Sequence, residues 1–431
     1  MEGVDSSFDG FSVEMQDFAV KKVKKFDRLV KIGEGGSIDQ NPLVHEGRVY
    51  FGSMNHNVYC VDAKTGEVIW KFRTEDRIGA ISSPVIADGL LFIGSYDHNM
   101  YALDAETGRL VWKFPTRGEI LSVVRIRKGI VYFTSRDHNM YAVTADKGNL
   151  VWKFRTQDEL QSTPEIYEDK VLFGSFDKNL YCVDAETGRL VWKFRTNGEV
   201  VTDDGLPIHD GIVYFTSYDT FLYAVEINTG RCIWKRSISL YGPVSSPVLY
   251  KGLLYQSTRD FFFLAIDLQG GELWRFRKNN ILGIAAFHDD LIYLTSEDKN
   301  LYCLDLDGRE IWKFRTDGPV WWKAAISGGV VYFSSYDCNL YAVDVNTRKL
   351  LWKFRCSGSP SYLPPANDEY EVEILIPKDE VDADVREKRY DIGFVDDDET
   401  AGAYKSKITY RMSTQYASKG KYQVDSDEEA L

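Results

Sequence analysis

Three histidines, His56, His98 and His138, stand in near-identical settings, "NHN", "DHN" and "DHN", and six aspartates follow a Ser-x pattern: Asp97, Asp137, Asp177, Asp219, Asp298 and Asp337. Histidine and aspartate are the side chains of zinc sites and of proton-transfer chemistry. Their spacing argues against both. Zinc needs its ligands within about 2 Å of one point, whereas equivalent loops of successive structural units stand far apart. The aspartates suit turn capping, where a carboxylate accepts from the backbone N–H two residues on. There is no adjacent cysteine pair, no C-x-x-C, no Gly-rich phosphate loop and no nucleophile elbow. A non-enzyme that binds no cofactor and no metal is expected.

A second set of chemistry-bearing residues lies where a repeated phrase breaks. "SSP", "STP" and "SSP" recur at 82–84, 162–164 and 245–247. The corresponding stretches elsewhere read "SVVRIRKG", with Arg125 and Arg127, "VTDDGLPI", with Asp203 and Asp204, and "GPVWWKAA", with Trp321, Trp322 and Lys323. Charges and exposed indoles at one end of a channel would make a polar, aromatic-rimmed interaction surface. The competing reading is that Arg125 and Asp204 neutralise each other inside the channel.

These residues are positioned by a repeat. A Trp followed by Lys or Arg occurs at Trp70, Trp112, Trp152, Trp192, Trp234, Trp274, Trp312 and Trp352, with gaps of 42, 40, 40, 42, 40, 38 and 40. A period near forty, held for eight copies, marks stacked or radially arranged units. Within residues 79–114, the runs "AISSPVI", "LLFIGS", "MYALDA" and "RLVWKF" are separated by Gly, Asn and Asp turns, which predicts a four-stranded antiparallel meander. One meander cannot cover both its faces. Eight in a ring can, so the expected fold is all-β: an eight-bladed β-propeller over residues 35–356, with extensions at 1–34 and 357–431.

The pattern "AxDxxTGxxxW" is met by Ala102, Asp104, Thr107, Gly108 and Trp112. It returns with Ala342, Asp344, Thr347 and Trp352, with Arg348 in place of glycine. It resembles the tryptophan-docking motif of the PQQ-like β-propellers, a superfamily that includes quinoprotein alcohol dehydrogenases and the outer-membrane assembly scaffold BamB. The resemblance implies that each Trp packs between neighbouring blades and that the Thr-Gly turn shapes the preceding hairpin. The dehydrogenases of that family use a vicinal disulfide, a calcium site and long insertions, and this chain shows none of these. The expected function is a protein-interaction scaffold, and the alternative is a propeller that binds pyrroloquinoline quinone, a sugar or another small ligand.

Charge and composition narrow the partners. The net charge is -13, and nucleic acid needs clustered cations, so it is not an expected partner. Residues 357–431 hold 18 acids and 9 bases, a net of -9. No apolar run is long enough to span a membrane, and no signal peptide opens the chain. A cytoplasmic protein is expected. Cys60, Cys182 and Cys303 share a repeat position with alanines, which predicts a small buried slot.

The run from Phe26 to Ile32 resembles an outer strand, expected to pair with a blade edge or to help close the ring. In the acidic tail "YEVEILIP" reads as a strand, and Tyr404, Tyr410, Tyr416 and Tyr422 are spaced by six. The tail is expected to dock in extended form, in cis or in trans; the alternative is disorder with incidental tyrosines.

Overall fold

The computed structural model describes residues 18–26, 36–79, 81–356 and 369–377. Residues 43–355 form eight four-stranded antiparallel sheets, each from one uninterrupted segment with its strands paired in chain order. The blades span 43–73, 85–115, 125–155, 165–195, 208–237, 248–277, 282–315 and 325–355. Among the described residues there is no helix.

In blade 2 the four strands are Val85–Ala87, Leu90–Gly94, Asn99–Asp104 and Leu110–Pro115. The two middle strands are almost wholly buried and carry the core. Apolar residues on both of their faces pack against the blades before and after. Eight clusters result, one per pair of neighbouring blades, the last joining blade 8 to blade 1 through Tyr332, Leu340, Val49, Phe51 and Tyr59.

The repeated tryptophan links each blade to the next. Trp70 donates its indole N–H to the carbonyl of Ala105 at 3.1 Å and Trp112 to that of Ala145 at 2.8 Å. The acceptors of Trp152, Trp192, Trp234 and Trp274 are the carbonyls of Ala185, Ile227, Leu268 and Leu306. Trp352 closes the circle on Ala63 of blade 1 at 3.0 Å. The six-membered ring of seven of the eight indoles lies against the glycine of the next blade's hairpin turn. At Gly108 (φ 72°) a Cβ would sit 2.6 Å from Trp70, so both the left-handed conformation and the close approach call for glycine. Asp104 shapes that turn, its Oδ1 accepting from both the hydroxyl and the N–H of Thr107 at 2.7 Å. Those bonds hold its carboxyl below the usual range.

The cysteine slot has a plain cause. Cys60, Cys182 and Cys303 lie directly across the ladder from Trp70, Trp192 and Trp312, where other blades put alanine. A larger side chain there would meet the indole. Burial pushes the Cys60 thiol up to about 11 and those of Cys182 and Cys303 to about 12.

Each fourth strand carries a register shift just before its Trp, as between Ala102 and Leu103 opposite Trp112 and Leu110. The extra residue leaves Leu110 and Val111 exposed, and the bulge twists an open edge away from chance pairing.

In the N-terminal extension the described strand is Phe18–Phe26, and it pairs antiparallel with Glu369–Pro377, the segment predicted from "YEVEILIP", in a two-stranded sheet. The run expected to pair with a blade edge lies, beyond Phe26, outside the described residues. Blades 8 and 1 meet through their own packed side chains and the Trp352–Ala63 bond. Residues 27–35 and the four spaced tyrosines lie outside the described residues.

Candidate functional site

The loop that brings the chain from one blade's outer strand to the next blade's inner strand lies on the same face of the ring as the turn between second and third strands. The Ser-x-Asp carboxylates tie the two together. Asp97 Oδ2 accepts from the Tyr101 hydroxyl at 2.7 Å and from the N–H of Glu75, in the loop arriving from blade 1, at 3.0 Å; Oδ1 takes the N–H and the amide of Asn99. Asp137, Asp177 and Asp337 repeat the scheme with Tyr141, Tyr181 and Tyr341. Burial, then the bonded carboxylate, pushes the Tyr101 phenol up. The histidines occupy the next turn position, where His56, His98 and His138 have φ of 68°, 69° and 71°. In other blades that left-handed place is held by Lys178, Thr220, Phe261, Lys299 and Cys338. It is a backbone position, and among the described residues no three His, Cys, Asp or Glu side chains are grouped to hold a metal.

The departures from the repeat meet inside the ring. The insertion around Asp203 and Asp204 enters blade 5, and Asp204 reaches across the channel. Its Oδ2 lies 2.6 Å from Nζ of Lys323 in blade 8, and its Oδ1 accepts from Nδ2 of Asn41, leading into blade 1, at 3.3 Å. Its backbone carbonyl accepts from Nη2 of Arg125 in blade 3 at 3.1 Å. Arg125 in turn pairs with Glu165 of blade 4 at 3.2 Å. Asn41 is itself fixed, its Oδ1 accepting from the Lys323 N–H at 2.8 Å and its own N–H donating to Ser83 Oγ at 3.1 Å. Gly205, at φ 105°, lets the insertion pass Arg125 and Glu165, since a Cβ there would come within 2.5 Å of Arg125 Nη2.

Arg125, Asp204 and Lys323 are therefore brought together, but not as direct partners throughout. The Arg125 charge is matched by Glu165, and the Asp204 carboxylate by Lys323. Arg127 leaves the group: its guanidinium bonds the Glu168 carbonyl in the first turn of blade 4, at the other end of the inner strand. Trp322 is a correction to the expected exposed pair. It is 1% exposed, with its indole N–H on Asp39 of the segment that leads into blade 1. Trp321 is half-buried, and its carbonyl is the acceptor for Thr295 at 2.9 Å.

Asp203 sits beside this crossing. Its backbone carbonyl accepts from Thr163 Oγ1 at 2.6 Å, while its side-chain Oδ1 is buried without a hydrogen-bond partner. It borders a crevice with Val201, Thr216, Tyr218, Pro243 and Ser245. Burial pushes its carboxyl up to about 7 against the pull of Arg259, with the Asp204 charge adding to the rise.

Several contributors escaped the reading of the sequence. Asn41 and Glu165 sit at positions where most other blades hold Ser, Thr or aliphatic residues, the exceptions being their own partners in other blades, Lys323 and Arg125. The middle residue of Ser-x-Asp is the larger omission. Tyr96 carries the Arg77 guanidinium 4.6 Å above its ring, Arg136 bonds Gln161 at 2.9 Å, and Arg259 lies 5.4 Å from the Tyr218 ring. The signal was present: a position that varies among Met, Tyr, Arg, Phe and Glu between nearly constant neighbours, Ser or Thr before it and Asp or Asn after it, is free of the blade's own demands.

The linking loop between blades 5 and 6 also departs from the pattern. Leu240 is 75% and Tyr241 55% exposed. The loop is braced by Ser239, whose Oγ donates to Asp260 Oδ1 at 3.0 Å and accepts from the Tyr241 N–H at 3.1 Å.

The comparisons agree with this architecture. A solved structure of BamB from Moraxella catarrhalis superposes with a TM-score of 0.59 at 19% identity, covering 76% of this chain and 95% of that one. The computationally designed Ika8 protein gives 0.61 at 14% identity, covering 70% and 95%. The quinohemoprotein alcohol dehydrogenase ADHIIG from Pseudomonas putida HK5 gives 0.60 at 14% identity, covering 77% and 73%. No curated protein matches the sequence. The structural relatives thus include both an enzyme and an assembly factor on one fold. The sequence profile described as outer membrane protein assembly factor BamB matches residues 54–175, 160–260 and 262–367, and the chain belongs to that family of PQQ-like β-propellers.

Proposed function

We propose that this protein is a non-catalytic, cytoplasmic scaffold that binds other proteins through the face of the ring bearing the Ser-x-Asp turns. The observation that carries the reading is the Leu240–Tyr241 pair. Two large apolar side chains held out from a braced loop, at a point where no other blade has them, are what an interface anchor requires. Single exposed apolar residues are ordinary on a protein surface; an adjacent pair on an ordered, non-repeating loop is a preformed contact. The family's description as an assembly factor supports the same role. Five of the six cysteines are buried thiols, which suits a reducing compartment.

The rival reading, a channel that takes pyrroloquinoline quinone, fits the side chains poorly. A planar cofactor on the channel axis would have to displace the Asp204–Lys323 pair. The test compares the wild type with a Leu240→Ser/Tyr241→Ser variant in crosslinking and capture from native lysate. The variant is expected to melt as the wild type does and to lose the captured proteins. Unchanged capture would overturn the reading, as would stoichiometric quinone uptake with dehydrogenase activity.

A further inference from the structure

We propose that Lys323 and Asn41 form a carboxylate-binding site that the chain fills with its own Asp204, an internal ligand that keeps the site closed to free carboxylates. Three observations carry this. Both carboxylate oxygens are engaged by groups from outside blade 5: Oδ2 by the Lys323 ammonium at 2.6 Å, Oδ1 by the Asn41 amide at 3.3 Å. The receiving side is organised independently of its guest, because Asn41 is fixed through its N–H to Ser83 and its Oδ1 to the Lys323 backbone. The guest arrives on an insertion that reaches its place only through the left-handed Gly205, at φ 105° and tight against Arg125 and Glu165.

Charge accounts for the ligand class. Arg125 is matched by Glu165, so removing the Asp204 carboxylate leaves the Lys323 ammonium as an unmatched cation, 31% exposed, with an amide donor beside it. A one-point anion would satisfy the ammonium alone. A carboxylate has two oxygens at the separation that Asp204 already uses, and its charge-assisted bond to lysine is of the stronger kind.

The experiment is a thermal melt of the full chain carrying Asp204→Ala, titrated with sodium acetate and, at the same ionic strength, with sodium chloride. The variant is expected to melt lower than the wild type. Acetate should raise its Tm saturably in the millimolar range while chloride does not, as for a ligand that binds only the folded state. The wild type should respond at least tenfold more weakly, and Lys323→Met in the same background should abolish the response. No acetate effect in Asp204→Ala, an equal effect in the wild type, or an effect that survives Lys323→Met would each overturn the proposal. Should Asp204→Ala not fold, Asp204→Ser, which keeps a hydroxyl for Asn41, is titrated in its place under the same criteria.

Discussion

The indole N–H of Trp352 in the last blade donates to the carbonyl of Ala63 in the first at 3.0 Å, and the Tyr332 hydroxyl reaches the same carbonyl, also at 3.0 Å. This is the geometry that joins Trp152 and Tyr132 to Ala185 within the continuous chain, at 2.9 and 3.1 Å. The seam of the ring is thus built like a joint between consecutive blades, though no linking loop crosses it.

Trp352 is partly buried, so replacing it by Ala should cost about 3 kcal/mol, the low end for a buried aromatic, with the largest changes confined to blades 8 and 1. Chemical denaturation gives the magnitude. Amide exchange should show the loss of protection concentrated in the strands Asn57–Asp62 and Asn339–Asp344. Uniform loss around the ring would contradict the view of the seam as a local joint.

The Thr-Gly turns make opposite forecasts at two equivalent positions. Gly108→Ala puts a Cβ at 2.6 Å from Trp70 in a left-handed backbone, and a destabilisation on the order of 2 kcal/mol is expected. Blade 8 already carries the unfavourable choice, Arg348 at φ 62°. Arg348→Gly should raise stability by about 1 kcal/mol through release of that strain. Denaturation midpoints of the two variants should move in opposite directions.

Asp203 sets a pH dependence whose sign is unusual for an aspartate. Its folded carboxyl is pushed up to about 7 from an ordinary value of 3.8, so the folded state holds the proton more tightly than the unfolded one. Its contribution to stability is complete below pH 4 and is lost as pH rises through 7. Asp203→Asn should leave the melting temperature at pH 4 nearly unchanged and raise it at pH 8. The carboxylates held low by turn bonds, Asp62, Asp104, Asp184 and Asp344, work the other way and lose their contribution as pH falls below about 4. A variant equally stabilised at both pH values would remove Asp203 as the cause.

The blades were legible because each is local. Trp112 pairs with Ala102 ten residues earlier, and its acceptor, Ala145, lies in the next copy of the repeat, so period and turn chemistry suffice to place them. The crossing was only half legible. That Arg125, Asp204 and Lys323 are exceptions to the repeat is visible in the letters. That the Asp204 carboxylate meets Lys323, leaving only its backbone carbonyl to Arg125, depends on the path of an insertion around Gly205, which no periodicity encodes. Trp322 misled because a second Trp beside Trp321 has no repeat counterpart to reveal which way it faces. The pairing of Phe18–Phe26 with Glu369–Pro377 joins segments more than three hundred residues apart, beyond the range of any local pattern.

Because every blade is one uninterrupted segment, the order in which the blades are linked is incidental to how they pack. The linker between any two blades is chemically no different from the missing linker at the seam. New chain ends placed in a linking loop such as 74–84, with a short tether joining residue 356 to residue 36, leave every interface of the ring in place. A unit that begins after one Trp and ends at the next is complete for duplication, and "DAETGRLVWKFPT" and "DAETGRLVWKFRT", which close two such units and open the next, are nearly identical although the units around them differ.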